Sequence, residues 1–246
     1  MKDNFSTHSH RYALCRPTFP KEVFEFIFTE VRNFSLAWDV ATGNGQAARF
    51  LAARFDQVMA SDISQNQLDH AVQLPNIEYR LESAGHTSLH DRSVDLVMVS
   101  QAAHWFDFGP FYSEVRRVAK PGALISLLGY GLIYSDDAAL DELIRHFYFD
   151  ITGPYWDAER KYVDDQYRTL PFPFKQIDTP SFQMEYLWPE DQLLGYFSTW
   201  SAVQHYLKER GSSPLTPELE EAFRKACKQK ACRVKFPVFM KVARIT

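Results

Sequence analysis

The stretch DVATGNGQAA, Asp39 to Ala48, decides how the rest of the chain is read. It contains Gly43-x-Gly45-x-x-Ala48, an accepted spelling of the turn by which a strand enters a helix over the pyrophosphate of NAD. Glycines at 43 and 45 let the backbone turn sharply and approach a ligand closely, whatever that ligand is. Asp39 discriminates better. A carboxylate four residues before the first glycine repels a pyrophosphate and suits a ligand that carries positive charge.

The flanks of the turn repeat a pattern. LAWDVA before it is a short buried run, and QAARFLAARF after it puts Ala47, Phe50 and Leu51 on one helical face. That is strand, turn, helix. DQVMASDI reads as a second strand ending near Asp62, with Ser64 as the N-cap of a helix, QNQLDHAVQL, that stops at Pro75. NIEYRL and SVDLVMVS are a third and fourth strand, FYSEVRRVA is a helix with Phe111, Val115 and Val118 on one face, KPG is a turn, and ALISLLG is a fifth strand.

Strands alternating with helices at this spacing mean βαβ units and a parallel sheet covered on both faces. FQMEYLW and the closing CRVKFPVFMKVARI bring the strands to seven. The expected fold is α/β, a doubly wound Rossmann-like sheet, mostly parallel, with an antiparallel edge strand and helical insertions in the C-terminal half. One domain over residues 1–246 is expected, with a lid segment at 1–34, a cofactor-binding core at 35–129, and the sheet edge and acceptor-site insertions at 130–246. Ligands of such sheets bind beyond the carboxyl ends of the strands, so the loops at 41–46, 62–64, 82–86 and 100–106 share one rim.

Composition narrows the function classes. The 246 residues are 46% apolar, with a net charge of -4 and a pI near 6.1, which gives no general attraction to nucleic acid or an anionic membrane. A local basic segment runs from Arg224 through Lys225, Lys228, Lys230, Arg233, Lys235 and Lys241 to Arg244; it reads as a solvated face. Nothing approaches the roughly 18 apolar residues of a membrane span, and the first residues lack a signal-peptide core, so a cytoplasmic location is expected. Cys15, Cys227 and Cys232 contain no C-x-x-C pair and read as free thiols.

The residues from Trp38 to Leu68 and from Ser93 to Gly131, with YALCRPTFP upstream and YRTLPFP downstream, resemble the class I S-adenosylmethionine-dependent methyltransferases. The resemblance is to the methyltransferase type 11 group that includes trans-aconitate methyltransferase-like proteins. It is strong over 12–130 and thinner beyond. It implies that Asp39, Ala41, Thr42, Gly43, Gly45 and Gln46 surround the methionine moiety of S-adenosyl-L-methionine. Asp62, 19 residues past Gly43, would hold the ribose and Ile63 the adenine. Ser83 and Ala84 would border the adenine edge, and Gln101 and Ala102 would close over the methyl end. Two positions depart from the pattern. Ala41 replaces a usual glycine, which is tolerable at negative φ, and Gly85 stands where an acid commonly follows the alanine.

The acceptor decides what other chemistry is needed. A carboxylate oxygen is already nucleophilic and needs only orienting groups, whereas a hydroxyl or amine wants a base. His104, after the fourth strand, is the candidate base; its alternative role is packing beside Trp105. Candidate acceptor-binding residues are Tyr12, Arg16, Tyr130, Tyr155, Trp156, Arg160, Trp200 and His205, Arg160 as partner of a substrate carboxylate and Tyr12 with Arg16 as a lid. His86 and His90 lack an acid or thiolate cluster, and no metal site is expected. The expected function is methylation of a small-molecule acceptor, by O-methylation of a carboxylic acid. A cofactor-binding protein without catalysis, an RNA methyltransferase using the basic segment, and a nicotinamide dehydrogenase remain as alternatives, and the oligomeric state is not readable.

Overall fold

The computed structural model describes residues 15–227 and 231–245. A helix, α1 (Lys21–Glu30), leads into β1 (Leu36–Val40), α2 (Gln46–Ala52), β2 (Gln57–Asp62), α3 (Gln65–Asp69), β3 (Ile77–Leu81), β4 (Val94–Ser100), α4 (Phe108–Val118) and β5 (Ala119–Tyr130). The C-terminal half adds α5 (Ala138–Arg145), α6 (Arg160–Asp164), β6 (Phe182–Pro189), α7 (Glu190–Ser198), α8 (Ser201–Arg210), α9 (Pro217–Ala226) and β7 (Ala231–Arg244).

The seven strands lie in the order β3-β2-β1-β4-β5-β7-β6. β1 to β5 pair in parallel, and β7 runs antiparallel to both β5 and β6. The chain winds outward from β1 to β3, then crosses back to β4 on the other side of β1. Order therefore reverses between β1 and β4, where the loops that leave them part and a cleft opens.

Burial follows from the pattern of each element. VDLVMVS in β4 is buried almost throughout, as a central parallel strand with helices on both faces must be. On one face α1 brings Phe24 and Ile27, and α2 brings Ala48 and Leu51, against Leu96 and Met98. On the other, Phe111, Val115 and Val118 of α4 cover Val97 and Val99. A third, aromatic cluster of Tyr130, Phe147, Tyr148, Phe197, Trp200, Phe223 and Phe236 binds the C-terminal helices to β5 and β7.

Several local expectations change. KPG is not a free turn: β5 starts at Ala119, and Gly122, at φ +80°, carries a register shift opposite Val94 and Leu96. The helix after Ser64 ends at Asp69, well short of Pro75, and the helical stretch from Pro189 is divided by Thr199 and Trp200 into α7 and α8. Cys227 and Cys232, expected as thiols, form a disulfide with Cα atoms 4.9 Å apart. The pairing joins the end of α9 to the start of β7, a spacing that a search for C-x-x-C does not address. Among the described residues no helix is long and apolar enough to cross a membrane.

Candidate functional site

The turn after β1 is tied down by backbone groups. Thr42 N–H donates to the Ser61 carbonyl at 2.9 Å, and Gly45 N–H to the Thr42 carbonyl at 3.1 Å. Gly43 and Gly45 have φ of +57° and +80°, conformations open to glycine. A Cβ at Gly45 would also run into the Tyr79 hydroxyl, which donates to the Val72 carbonyl at 2.6 Å. Ala41 corrects the expectation of negative φ. It sits at +53°, in the left-handed region, at a cost of about 1–2 kcal/mol.

Asp62 joins the turn to β2. Its Oδ2 accepts from Gly43 N–H at 2.8 Å and its Oδ1 from Ser64 N–H at 2.9 Å. Both of its oxygens are thereby set at the end of β2, on the rim of the cleft. Ala41, Thr42, Gly43, Gln46, Asp62, Ile63, Gln101 and Ala102 come together around one cleft. Phe19, Phe24 and Phe50 supply an apolar wall that no motif in the sequence marks; Phe24 and Phe50 stack at 4.3 Å.

Four expected cofactor residues do not line this cleft. Asp39, 1% exposed, lies beneath the turn, where its Oδ2 accepts from the Thr42 hydroxyl at 2.5 Å. Its Oδ1 is buried without a hydrogen-bond partner. Burial pushes the carboxyl up to about 7, with Asp62 adding to the rise and the Thr42 hydroxyl opposing it. Gly45 serves the turn as N-cap of α2. Ser83 is bridged to His86, and Ala84 is buried in the core instead of facing the cleft. The glycine at 85 has a packing reason, because a Cβ there would meet the Pro110 side chain at 2.8 Å.

A second, smaller pocket opens beside the first. Arg16, Gln101 and Trp105 line both, and His104, Trp156, Asp157, Arg160, Trp200 and Ser201 complete the smaller one. Tyr130 lies on the cofactor side, its hydroxyl accepting from Arg16 at 3.1 Å. Arg16 also donates to the Thr199 carbonyl at 2.9 Å. Arg160 lies over the Trp156 ring at 4.6 Å and donates to the Tyr148 hydroxyl at 2.7 Å. Gln101, at φ +56°, accepts from Tyr130 N–H at 2.7 Å and so fastens the end of β4 to that of β5.

His104 is buried, with Nδ1 3.2 Å from the Tyr167 hydroxyl. Burial first, then Arg160 and Arg16, pull its pKa down to about 3. The ring is neutral, and taking up a proton between two guanidiniums is costly, which counts against the base role. His205 and Tyr155 are not in the pocket. His205 Nδ1 is 2.9 Å from the Tyr155 carbonyl oxygen, and the Tyr155 hydroxyl accepts from Arg210 at 2.9 Å. Aromatic or basic type alone placed them with the others. Tyr12 lies outside the described residues.

Five residues of the basic segment are ion-paired; Lys241 lies over the Phe172 ring, and Lys228 and Lys230 lie outside the described residues. Arg224 pairs with Glu190, Asp191 and Glu220, Lys225 with Glu221, Arg233 with Glu185, Lys235 with Asp136, and Arg244 with Glu30. Among the described residues no group of three or more metal-ligating side chains is formed.

The chain is similar to known proteins in sequence and in fold. A family model described as a methyltransferase domain, of the methyltransferase type 11 group, matches residues 38–127. A protein of Dictyostelium discoideum that carries a methyltransferase name is 34% identical, covering 97% of this chain and 93% of that one. A Schizosaccharomyces pombe relative of the same kind is 31% identical over about half of each chain, 50% and 51%. A solved structure from Anaeromyxobacter dehalogenans, named as a type II methyltransferase, superposes with a TM-score of 0.84 at 36% identity, covering 94% and 98% of the two chains. Its reach extends through the C-terminal half. The cleft residues fit the cofactor of such enzymes, since a carboxylate, Asp62, ends β2 at the rim with both oxygens oriented by backbone N–H groups, and Phe19, Phe24 and Phe50 give an apolar wall. The chain belongs to the class I S-adenosylmethionine-dependent methyltransferases.

Proposed function

We propose that the protein O-methylates a small carboxylic acid, bound in the pocket between Trp105, Trp156 and Trp200. The observation that carries this reading is the pair of guanidiniums, Arg16 and Arg160, which both line the pocket and whose charges both act on His104 in its wall. Two fixed cations in a partly dry, aromatic-lined space select an anion. The sequence resemblance to trans-aconitate methyltransferase-like proteins supports the same acceptor class.

S-adenosylmethionine, when bound, supplies a methyl group activated on a sulfonium. Asp62 and the turn at 41–46 would hold its nucleoside and amino-acid ends, and Arg16, Gln101 and Trp105 form the common wall of the two pockets. Arg16 and Arg160 orient the acceptor carboxylate so that one oxygen takes the methyl group. A carboxylate has no proton to lose, so the neutral His104 is compatible with the chemistry. The acids beside Arg224, Lys225, Arg233, Lys235 and Arg244 weaken the attraction of these residues for RNA, which favours a small acceptor.

The test is an assay of the purified protein with labelled S-adenosylmethionine and a panel of small mono-, di- and tricarboxylic acids. Base-labile methyl esters are expected. Methylation confined to amines or alcohols in a matched panel would refute the carboxylate reading.

A further inference from the structure

His104 has two ring nitrogens in different surroundings. Nδ1 faces the Tyr167 hydroxyl at 3.2 Å. Tyr167 is buried, and a buried hydroxyl needs an acceptor for its own proton. Nδ1 is the recorded partner of this one, so it receives that proton as a hydrogen bond and must itself be unprotonated. A neutral imidazole carries one proton, which then sits on Nε2. Among the described residues Nε2 has no protein partner, and His104 contributes to the wall of the acceptor pocket alongside Arg16 and Arg160.

Tyr167 is held in place at a cost. Gln166 and Tyr167 follow each other at φ +57° and +61°, two successive non-glycine residues in the disfavoured left-handed region. The strain is kept by packing: Tyr167 is 0% exposed, its ring meets Phe239 at 4.8 Å, and its N–H donates to the Tyr162 carbonyl at 2.7 Å. A strained turn that delivers one buried hydroxyl to one histidine nitrogen implies a use for that hydroxyl.

We propose that Tyr167 is a positioning residue that fixes His104 in its Nε2–H form, so that His104 presents a neutral hydrogen-bond donor to an anionic acceptor oxygen and does not act as a base. The inference rests on the carboxylate reading and sharpens it. In such a site His104 removes no proton, so acids already ionised in solution are favoured, and an alcohol or amine acceptor would need Asp157, the carboxylate in the same wall 3.8 Å from His205 Nδ1, as its base. The reverse tautomer would leave the buried Tyr167 proton without an acceptor.

The experiment is two-bond ¹H–¹⁵N NMR of the histidine-labelled full chain, without acceptor, together with kinetics of His104→Gln, His104→Asn and Tyr167→Phe. The expected spectrum shows His104 as the Nε2–H tautomer, with Tyr167→Phe moving it toward a mixture. A glutamine amide can replace the Nε2–H donor and an asparagine cannot, so KM should rise about tenfold or more in His104→Asn and only a few fold in His104→Gln, with kcat falling less than KM rises. An Nδ1–H signal in the parent protein, or a loss of 100-fold or more in kcat in both histidine variants at unchanged KM, would overturn the proposal. Because the tautomer is read without acceptor, the two readings fail separately. An Nε2–H ring in a protein that methylates no carboxylic acid removes the acceptor assignment, and an Nδ1–H ring in one that does removes this inference. Should Tyr167→Phe not fold, the spectrum of the parent protein still decides.

Discussion

Asp62 Oδ2 accepts a hydrogen bond from Gly43 N–H at 2.8 Å, so the acid that ends the second strand also fixes the turn that leaves the first. Removing the side chain takes away a turn anchor and, on the proposed reading, a ribose acceptor together. Asp62→Ala is expected to weaken S-adenosylhomocysteine binding by about 1–3 kcal/mol. Calorimetry measures this, and unchanged affinity would place the ribose elsewhere.

Asp39 makes stability depend on pH in a defined direction. Its folded pKa is raised to about 7 by burial, so between about pH 4 and 7 the folded chain binds more protons than the unfolded one and stability falls as pH rises. Asp39→Asn removes that loss. The variant should gain on the parent progressively across this window, by up to about 4 kcal/mol above pH 7, in urea unfolding at a series of pH values without cofactor. A difference independent of pH would contradict the buried carboxyl. Because a cationic ligand favours the ionised form, affinity of the parent for S-adenosylmethionine should rise with pH through about 7.

His104 works in the opposite sense. With its folded pKa drawn down to about 3 by burial, Arg160 and Arg16, the unfolded chain binds the extra proton below about pH 6.5, and stability falls as pH drops. His104→Gln should flatten the acid limb of the stability profile, read by the same unfolding series. An unchanged acid limb would mean that the ring titrates normally.

Ala41 carries strain that glycine would relieve. At φ +53°, Ala41→Gly should hold stability or raise it by up to about 1 kcal/mol, while Ala41→Val should lower it by about 2 kcal/mol. Thermal unfolding of the two variants gives the comparison. A tolerated valine would deny the left-handed conformation.

Arg160 is geometrically specific, held between the Tyr148 hydroxyl, Asp164 and the face of Trp156. Arg160→Met should raise KM for an acid acceptor by tenfold or more with cofactor affinity unchanged, and Arg160→Lys should restore little, since an ammonium lacks the planar fork. Steady-state kinetics with a carboxylate found by the assay above reads both.

Much of the fold was legible because burial dictates pattern. Gly43 and Gly45, the apolar run of β4 and the face formed by Phe111, Val115 and Val118 each announce their element in a few residues. The place of β7 between β5 and β6 is not announced, because alternation marks a strand without naming its neighbours. At the site, the glycine turn and Asp62 are read from their spacing, and Ala41, Gln46, Gln101 and Ala102 are implied by the family resemblance; all of these but Gly45 line one cleft. The φ of Ala41, the burial of Asp39 and the retreat of Ser83 and Ala84 depend on tertiary packing, and so does the pairing of Cys227 with Cys232. Arg16 and Tyr130 meet across 114 residues of chain, a contact that residue type proposes and only the fold creates. His205 shows the limit of residue type, being engaged with the Tyr155 carbonyl outside the pocket.

The acceptor assignment is tested most directly by incubating the purified chain with labelled S-adenosylmethionine and a small-metabolite extract, then separating the labelled products before and after mild base. Label in small acidic metabolites, released by base as methanol and lost in Arg160→Met, is the predicted result. Label that survives base, or that appears on RNA added in parallel and not on the small acids, would contradict it.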